Sequence, residues 1–430
     1  MTKSLLTADN LKQLQGCQRL LVGYSGGLDS TVLLHAIALI PEYASKLIAV
    51  HINHGLSPNA YDWQNHCRLF CSQLKTPLIV KKIDFKREAN IEEAARKARY
   101  EVFAQLIEKN DGLVLAHHLN DQAETLLLHL CRGTGVDGLA AMTPVKAFAQ
   151  GKLLRPLLQI SRTQLEAYAH LHQLQWIDDE SNQDIGFSRN YIRHQVMPLL
   201  SARWPELENK LARTSLHCQQ AQANLNDLAL MDCPYLKKKS LQLPIAHLIQ
   251  LSEARITNVL RFWLKSNQVR MPDTATFYRL ISEMIQAKED TSPQVSWDGV
   301  CVRRYQKTLF LLKEKPAPLA SLIKWSMFPD TLIIKNLGIL QVKTSNEGLA
   351  VPDNASIEVS FRRGGEAFYW HGQTKQLKKL FQEWQIPPWL RDRIPLVYIN
   401  NQLACIVGYA ISDLFYQSTG ENLYHLNLEC

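Results

Sequence analysis

Ser25-Gly26-Gly27-Leu28-Asp29-Ser30 decides the reading of the first half of this chain. It follows the apolar run Arg19-Leu20-Leu21-Val22-Gly23-Tyr24 and precedes Thr31-Val32-Leu33-Leu34-His35-Ala36-Ile37, which repeats at helical spacing. The order is strand, tight loop, helix. Glycines let the backbone come close to an anion. The helix start offers unpaired N–H groups and the positive end of its dipole, and Ser25 and Ser30 add hydroxyls. Such a loop holds phosphate. Asp29 repels phosphate unless a divalent cation lies between them, and Mg2+ accepts one or two carboxylates with phosphate oxygens. Ser, Gly and Asp also make ordinary turns; the strand before and the helix after favour the phosphate reading. The other common phosphate loop, Gly-x-x-x-x-Gly-Lys-Ser/Thr, is absent from the sequence.

Outward from the loop, strand and helix patterns alternate over the first ~200 residues. Leu47 to Ile52, Leu78 to Ile83, Leu113 to Ala116 and Leu153 to Leu157 read as strands. Residues Ala60 to Leu74, Ile91 to Ile107 and Asp121 to Leu130 read as helices. This predicts an α/β fold, a doubly wound parallel sheet whose ligands sit at the carboxyl ends of the strands. From about residue 216 the pattern turns mainly helical, with helices expected over Leu216 to Met231, Leu248 to Ser266 and Thr274 to Ala287. A hairpin follows over Val295 to Leu312. Lys313 to Pro318 reads as a linker, and the last hundred residues as a small α+β module. The expected domains are 1–215, 216–315 and 325–430, in a chain of 430 residues.

The chain carries a net charge of +8, and residues 216–320 are its most basic part, with 14 Lys and Arg against 9 Asp and Glu. A modest basic excess suits a polyanion such as RNA, and also suits no partner at all. The nine cysteines include no Cys-x-x-Cys, which suits reduced thiols. No apolar run approaches the ~18 residues of a membrane span. The opening Met1 to Asp9 lacks the apolar segment of a signal peptide. The expected setting is the cytoplasm, without a membrane.

Three further groups can carry chemistry. His117-His118-Leu119-Asn120-Asp121-Gln122-Ala123-Glu124 follows the fourth strand, so it faces the same crevice as the loop. Asp121 and Glu124, three apart, can hold an amine or a metal or take a proton; equally, Asp121 can cap the helix with Glu124 in a capping box. Arg96 and Arg99 share a helix face and can reach phosphate or carboxylate, or simply be solvated. Arg189 and Arg193, in a polar stretch after Asp178-Asp179-Glu180-Ser181-Asn182, can face one ligand. Gly133-Thr134-Gly135-Val136-Asp137-Gly138 imitates a dinucleotide fingerprint, but it follows a helix and reads as a C-cap and loop.

Taken together, these residues resemble a family. The loop Ser25 to Ser30 is similar to that of ATP pyrophosphatases cleaving between the α and β phosphates. His51 to Leu56, Glu92 to Tyr100, His117 to Glu124, Arg155 to Leu158, Asp179 to Asn182 and Arg189 to Arg193, in this order, resemble the tRNA(Ile)-lysidine synthetases. Lys378 to Phe381 and Ile386 to Leu396 resemble that family's C-terminal module. The family usually has an aspartate where this chain has Asn120.

The resemblance implies an enzyme that joins free L-lysine to C2 of the wobble cytidine of the CAU-anticodon isoleucine tRNA. Cytidine O2 attacks the α-phosphorus of ATP and pyrophosphate leaves; the lysine side-chain amine then attacks C2 and AMP leaves. It implies ATP held by Ser25, Gly26, Gly27, Leu28, Asp29 and Ser30, and Mg2+ at Asp29. Arg96, Arg99 and Arg189 are candidates for phosphate or the lysine carboxylate. Asp121 and Glu124 are candidates for the lysine amines, with Asp121 favoured as the base. Lys378, Lys379 and Arg391 are candidate phosphate contacts in the C-terminal module, which also leaves a homodimer open. Other ligases with this loop need an ammonia source, and nothing here resembles a glutaminase. A thiolase would want paired cysteines. A non-catalytic tRNA binder would not need Asp29, Ser30, Asp121 and Glu124 intact.

Overall fold

The computed structural model describes residues 5–53, 55, 59–83, 91–286, 293–313, 318–420 and 422–429. His54 and Leu56 of the quoted motif, Ala287 at the end of an expected helix and residues 314–317 of the expected linker lie outside them. The chain divides into two compact units, Met1–Leu228 and Ala229–Cys430.

The first unit is built on a six-stranded sheet: β1 (Leu20–Gly23), β2 (Leu47–Asn53), β3 (Leu78–Lys82), β4 (Gly112–Val114), β5 (Val145–Phe148) and β6 (Gly151–Leu154). The order is β3-β2-β1-β4-β6-β5. All neighbours are parallel except β5 and β6. β6 is the expected strand at Leu153, begun two residues earlier; its antiparallel partner β5 was not expected. Val145, Lys146 and Ala147 are exposed, and β5 has no apolar run to announce it.

β1 is apolar without interruption because both its faces are covered. Leu20 and Val22 join one core with Val32, Leu33 and Ile37 of the helix Leu28–Ala38. Leu21 turns to the other core, with Phe103 and Ile107. Along β2, Leu47 and Ala49 face the first core and Val50 and Ile52 the second. The period-2 alternation therefore serves two helical layers. Each such fully buried aliphatic side chain contributes roughly 1.5–3 kcal/mol. The chain winds from β1 outward to β2 and β3, then crosses back to β4 beside β1. The switch point lies between the carboxyl ends of β1 and β4, where open α/β sheets bind their ligands.

The helix Leu207–Asp232 runs through the expected boundary at 215/216, and the units divide near its end. In the second unit, the helix Glu253–Ser266 buries Val259, Leu260, Trp263 and Leu264 in one core with Val295, Val302 and Leu309. The span expected as one hairpin, Val295 to Leu312, holds three strands, Gln294–Trp297, Val300–Tyr305 and Thr308–Lys313, and Gln242–Pro244 completes a four-stranded antiparallel sheet. The third expected helix is α-helical over Thr274–Arg279 and continues as a π-turn over Leu280–Ile285. The last hundred residues form two five-stranded sheets and the hairpin Ala367–Trp370/Gln373–Gln376, with the helix Leu377–Glu383. The strand Leu423–Glu429, absent from the sequence reading, pairs with Gly338–Ser345 over seven residues.

Candidate active site

The loop after β1 is held by its own short-range bonds. Ser30 Oγ donates to the Gly27 carbonyl (3.0 Å) and accepts from the Ser25 N–H (3.2 Å). Thr31 Oγ1 donates to the Gly26 carbonyl (3.2 Å), and Ser25 Oγ accepts from the Gly27 N–H (3.3 Å). Gly27 caps the helix without any side-chain bond, so the first N–H groups of the helix stay available. Leu28, Asp29 and Ser30 line a cleft of about 380 Å³. The Leu28 side chain is buried in the core, so its backbone alone can meet a ligand.

Of the two glycines, the fold demands Gly26. Its φ is +87°, and a Cβ there would stand 2.6 Å from Ile177 Cδ1 and 3.0 Å from Cys67 Sγ. A Cβ on Gly27 would meet only ordinary contacts. The Ile177 N–H donates to the Gly26 carbonyl (2.9 Å), which docks the polar stretch after it against the loop. Asp178, Asp179 and Asn182 consequently line the cleft with Asp29.

The helix Leu119–Cys131 begins the other wall. Its cap is His118, whose Nδ1 accepts from the Asn120 N–H (3.2 Å), while Asp121 Oδ2 accepts from the His118 N–H (3.0 Å). The alternative of Asp121 as the cap is thereby replaced: Asp121 is the third helical residue of a box capped by histidine. Asp121 Oδ1 receives Arg189 Nη2 (2.9 Å) and Arg193 Nη2 (3.2 Å). Glu124 is buried and meets the same arginines, with Arg193 Nε on Oε1 (2.6 Å) and Arg189 Nε on Oε2 (2.9 Å). Two carboxylates and two guanidiniums thus form one network. Asp121 lines the cleft and Glu124 does not.

Burial works against ionising Asp121, but the His118 and Arg189 charges outweigh it, with the bond from the His118 N–H adding to them; its pKa falls well below the usual carboxylate range. A carboxylate held so low binds a cation well and takes a proton poorly. The expected role of Asp121 as base is therefore not one this environment favours. Arg99 lines the cleft, whereas Arg96 is exposed, its guanidinium 5.1 Å from the Tyr100 ring centroid.

The two histidines answer to different partners. Burial pushes His117 down to about 3, against the pull of Asp121. Its Nδ1 accepts from Arg155 Nε (3.2 Å), so the neutral ring carries its proton on Nε2. His118 Nε2 lies 3.6 Å from both Asp29 Oδ2 and Asp121 Oδ2. Burial opposes charge on this ring, and the carboxylates of Asp121 and Asp29 overcome it, raising its pKa. A second proton, on Nδ1, would break the cap bond from Asn120.

Residues 3–200 match the PP-loop domain, residues 243–310 the TilS substrate binding domain and residues 357–428 the TilS substrate C-terminal domain. The chain is 54% identical to a tRNA(Ile)-lysidine synthase of Legionella pneumophila (strain Paris), over 97% of each chain. The chain belongs to the tRNA(Ile)-lysidine synthase family. It is also 40% identical to the synthase of Coxiella burnetii, over 93% of this chain and 90% of that one, and 37% identical to that of Serratia proteamaculans, over 99% of each. The PP-loop domain makes this synthase an ATP-using enzyme, and its substrate domains make tRNA its substrate.

Arg162 of the synthase site escaped the sequence reading. Arg162 lines the cleft, with Nη1 3.6 Å from Asp29 Oδ2 and Nε bound to Glu166 (3.0 Å). It supplies a cation beside a loop that has no lysine of its own. Asn120 Oδ1 accepts the Arg162 N–H (3.0 Å), the first of the helix Arg162–Leu171. Asn120, where the family usually has aspartate, therefore keeps the acceptor oxygen that this bond needs. A basic residue two after a largely apolar turn, Leu157 to Ile160, was the only signal for Arg162. The Gly133 motif is a helix end: Gly133 has φ +67°, its N–H donates to Leu130 and the Thr134 N–H to His129. That is the six-to-one, five-to-two closure of a Schellman cap.

Among the described residues, no helix is long and apolar enough to cross a membrane.

Proposed function

We propose that this chain, in the cytoplasm, joins L-lysine to C2 of the wobble cytidine of the CAU-anticodon isoleucine tRNA, at the cleft between β1 and β4. The observation that carries the assignment of the site is the meeting of a phosphate-cradling loop and an ionised Asp121 across one cleft. In this reading the triphosphate lies over Ser25–Ser30, its terminal phosphates on the backbone N–H groups and hydroxyls. Ile52, Trp63 and Phe103 offer the adenine an apolar wall. Arg162 and Arg99 neutralise charge at the α-phosphate, where most of the catalytic work is positioning and charge compensation.

Asp29 and Asp179 are the residues that would hold Mg2+, and one observation supports the fit: Asp29 Oδ1 is buried with no hydrogen-bond partner. Bound there, the ion would offset charge on the leaving pyrophosphate. Cytidine O2 attacks the α-phosphorus and pyrophosphate leaves. Asp121 holds the lysine side-chain ammonium and directs it to C2; after that nitrogen loses its proton to solvent and bonds C2, the C2–O2 bond breaks and AMP leaves. Glu124 keeps Arg189 and Arg193 in place beside Asp121 rather than meeting the amine. His117 offers an N–H donor at the cleft. The base must leave the anticodon stack to react.

The segments 216–315 and 325–430 are assigned to the rest of the tRNA, with Lys378 and Lys379 as phosphate contacts. Arg391, expected beside them, does not fit that role: its Nε donates to the Ile386 carbonyl (2.8 Å) and the residue is buried. The test is incorporation of radiolabelled lysine into the unmodified transcript with ATP and Mg2+, for wild type and Asp29→Ala. Label in wild type alone is expected. ATP turnover to AMP by wild type without lysine incorporation would overturn the reading.

A further inference from the structure

The C-terminal module carries a second cleft, of about 530 Å³, lined by exposed aromatic and imidazole rings. Tyr409 and Tyr416 are 48% and 44% exposed, high for rings that serve no core. Nothing in the mechanism above uses them.

The cleft is built rather than accidental. Tyr409 lies nearly parallel to Trp384, with centroids 5.5 Å apart and planes 14° apart. Trp384 meets Trp370 edge-on at 5.5 Å. His371 stacks on Trp370 at 4.0 Å from the tip of the hairpin Ala367–Trp370/Gln373–Gln376. That tip has φ +51° at His371 and +71° at Gly372, the left-handed pair of a two-residue hairpin turn. Asn, Asp or Gly would sit there more easily than His. The tip is pinned from outside the hairpin, since the Gly372 N–H donates to Asp413 Oδ2 (2.7 Å). Tyr416 is fixed too, its hydroxyl donating to Glu347 Oε2 (3.0 Å). Asp413, which lines the cleft, and Glu347 are thus already bound.

Cations stand around the rings. Lys375 Nζ is 5.6 Å from the Trp370 centroid, paired with Glu383 at 3.0 Å. Lys343 is directly across from His425 in the strand pairing, so both project from one face of the sheet. Asn427, two residues on, adds an amide to the same face. Flat rings held at fixed angles, amide and imidazole groups at the edges and cations at the rim are what an unpaired nucleobase and its phosphate require. A protein partner would ask for an apolar seat, and these rings carry polar edges.

We infer that the cleft among Trp370, His371, Tyr409, Tyr416 and His425 binds an unpaired nucleobase of the tRNA. This rests on tRNA being the substrate. The base can come from the single-stranded 3′ end or from a loop.

The test is binding of the full-length protein to the CAU-anticodon isoleucine tRNA transcript, over a range of salt concentrations. Tyr409→Ala is expected to bind about tenfold more weakly at every salt concentration, the loss of one base–aromatic stack. Tyr409→Phe keeps the ring and binds as wild type. Lys375→Gln lowers the salt dependence by about one ion. Ultraviolet irradiation of the wild-type complex, which needs no variant to fold, is expected to link a nucleotide to the peptide holding Tyr409 or Trp370. A transcript without its unpaired 3′ nucleotides separates the two sources: the Tyr409→Ala effect vanishes if the end is bound and persists if a loop base is. Unchanged binding by Tyr409→Ala with no cross-link in this region, while wild type still holds the tRNA, overturns the inference and leaves the function intact. No tRNA binding by wild type removes both.

Discussion

The two walls of the active-site cleft are made in opposite ways. The phosphate loop closes on itself: every bond that shapes it joins residues no more than five apart, apart from the Ile177 contact. The carboxylate wall has a local helix cap at His118, but its charges are balanced from far along the chain. Asp121 and Glu124 acquire their partners from Arg189 and Arg193, 65 to 72 residues along the chain. A local wall can be read as a motif and altered residue by residue. A non-local wall exists only once the fold has brought its halves together, so damage to it is felt as lost stability as well as lost chemistry.

Glu124→Ala is the hardest blow to that contrast. It leaves two guanidiniums facing each other with Asp121 alone between them. Removing one partner of a buried ion pair costs about 3–5 kcal/mol. Arg189 and Arg193 remain 25% and 27% exposed, so water offsets part of the loss and the low end of that range is expected, about 3 kcal/mol. Urea unfolding of the unit Met1–Leu228 should show it. ATP binding at the loop should survive wherever the protein remains folded. Equal loss of ATP binding would mean that the two walls are one structure after all.

Gly26→Ala strikes the local wall. The added methyl collides with Ile177 and Cys67, and the left-handed φ is strained for alanine. About 1–3 kcal/mol is expected from such backbone strain. Because the displaced atoms are those that cradle phosphate, ATP affinity should fall at least tenfold while the Asp121–Arg189 network persists. Equilibrium binding of ATP and a urea titration together check this. Gly27→Ala serves as the control, with little change in stability.

The same contrast accounts for what could be read beforehand. Ser25–Ser30, the strand before it and the helix after it were legible because neighbours in sequence determine them. The alternation of β1 to β4 was legible because each carries a short apolar run, unbroken in β1 and β4, which are covered on both faces. The capping histidine was not, since Ser, Thr, Asp and Asn lead at that position and Asp121 looked like the better cap. Glu124 looked like a ligand group because its partners lie in a stretch with weak periodicity. β5 and the strand Leu423–Glu429 are edge or half-exposed elements, whose pairing supplies the definition that their residues lack. Arg162 carried only a faint mark in sequence; it enters the cleft because β6 and its turn deliver a helix start next to Asp29.

Asn120 joins the two walls, and its substitution is the finest test of them. Its side-chain oxygen accepts the Arg162 N–H, which sets the start of a helix whose first residue faces Asp29. The bond is a small one. Asn120→Ala should cost about 1 kcal/mol of stability, as for a lost helix cap. Its larger consequence should be kinetic, because Arg162 then loses its fixed distance from the loop. Asn120→Asp keeps the acceptor and adds a negative charge at a helix N-terminus, which favours it. Aspartate should therefore preserve both stability and turnover where alanine loses them. The measurement is lysine incorporation and urea unfolding for both variants. If alanine and aspartate behave alike, the oxygen at position 120 is not what holds Arg162. If aspartate alone recovers the wild type, one hydrogen bond across the cleft couples the helix that carries Asp121 to the cation that faces the loop.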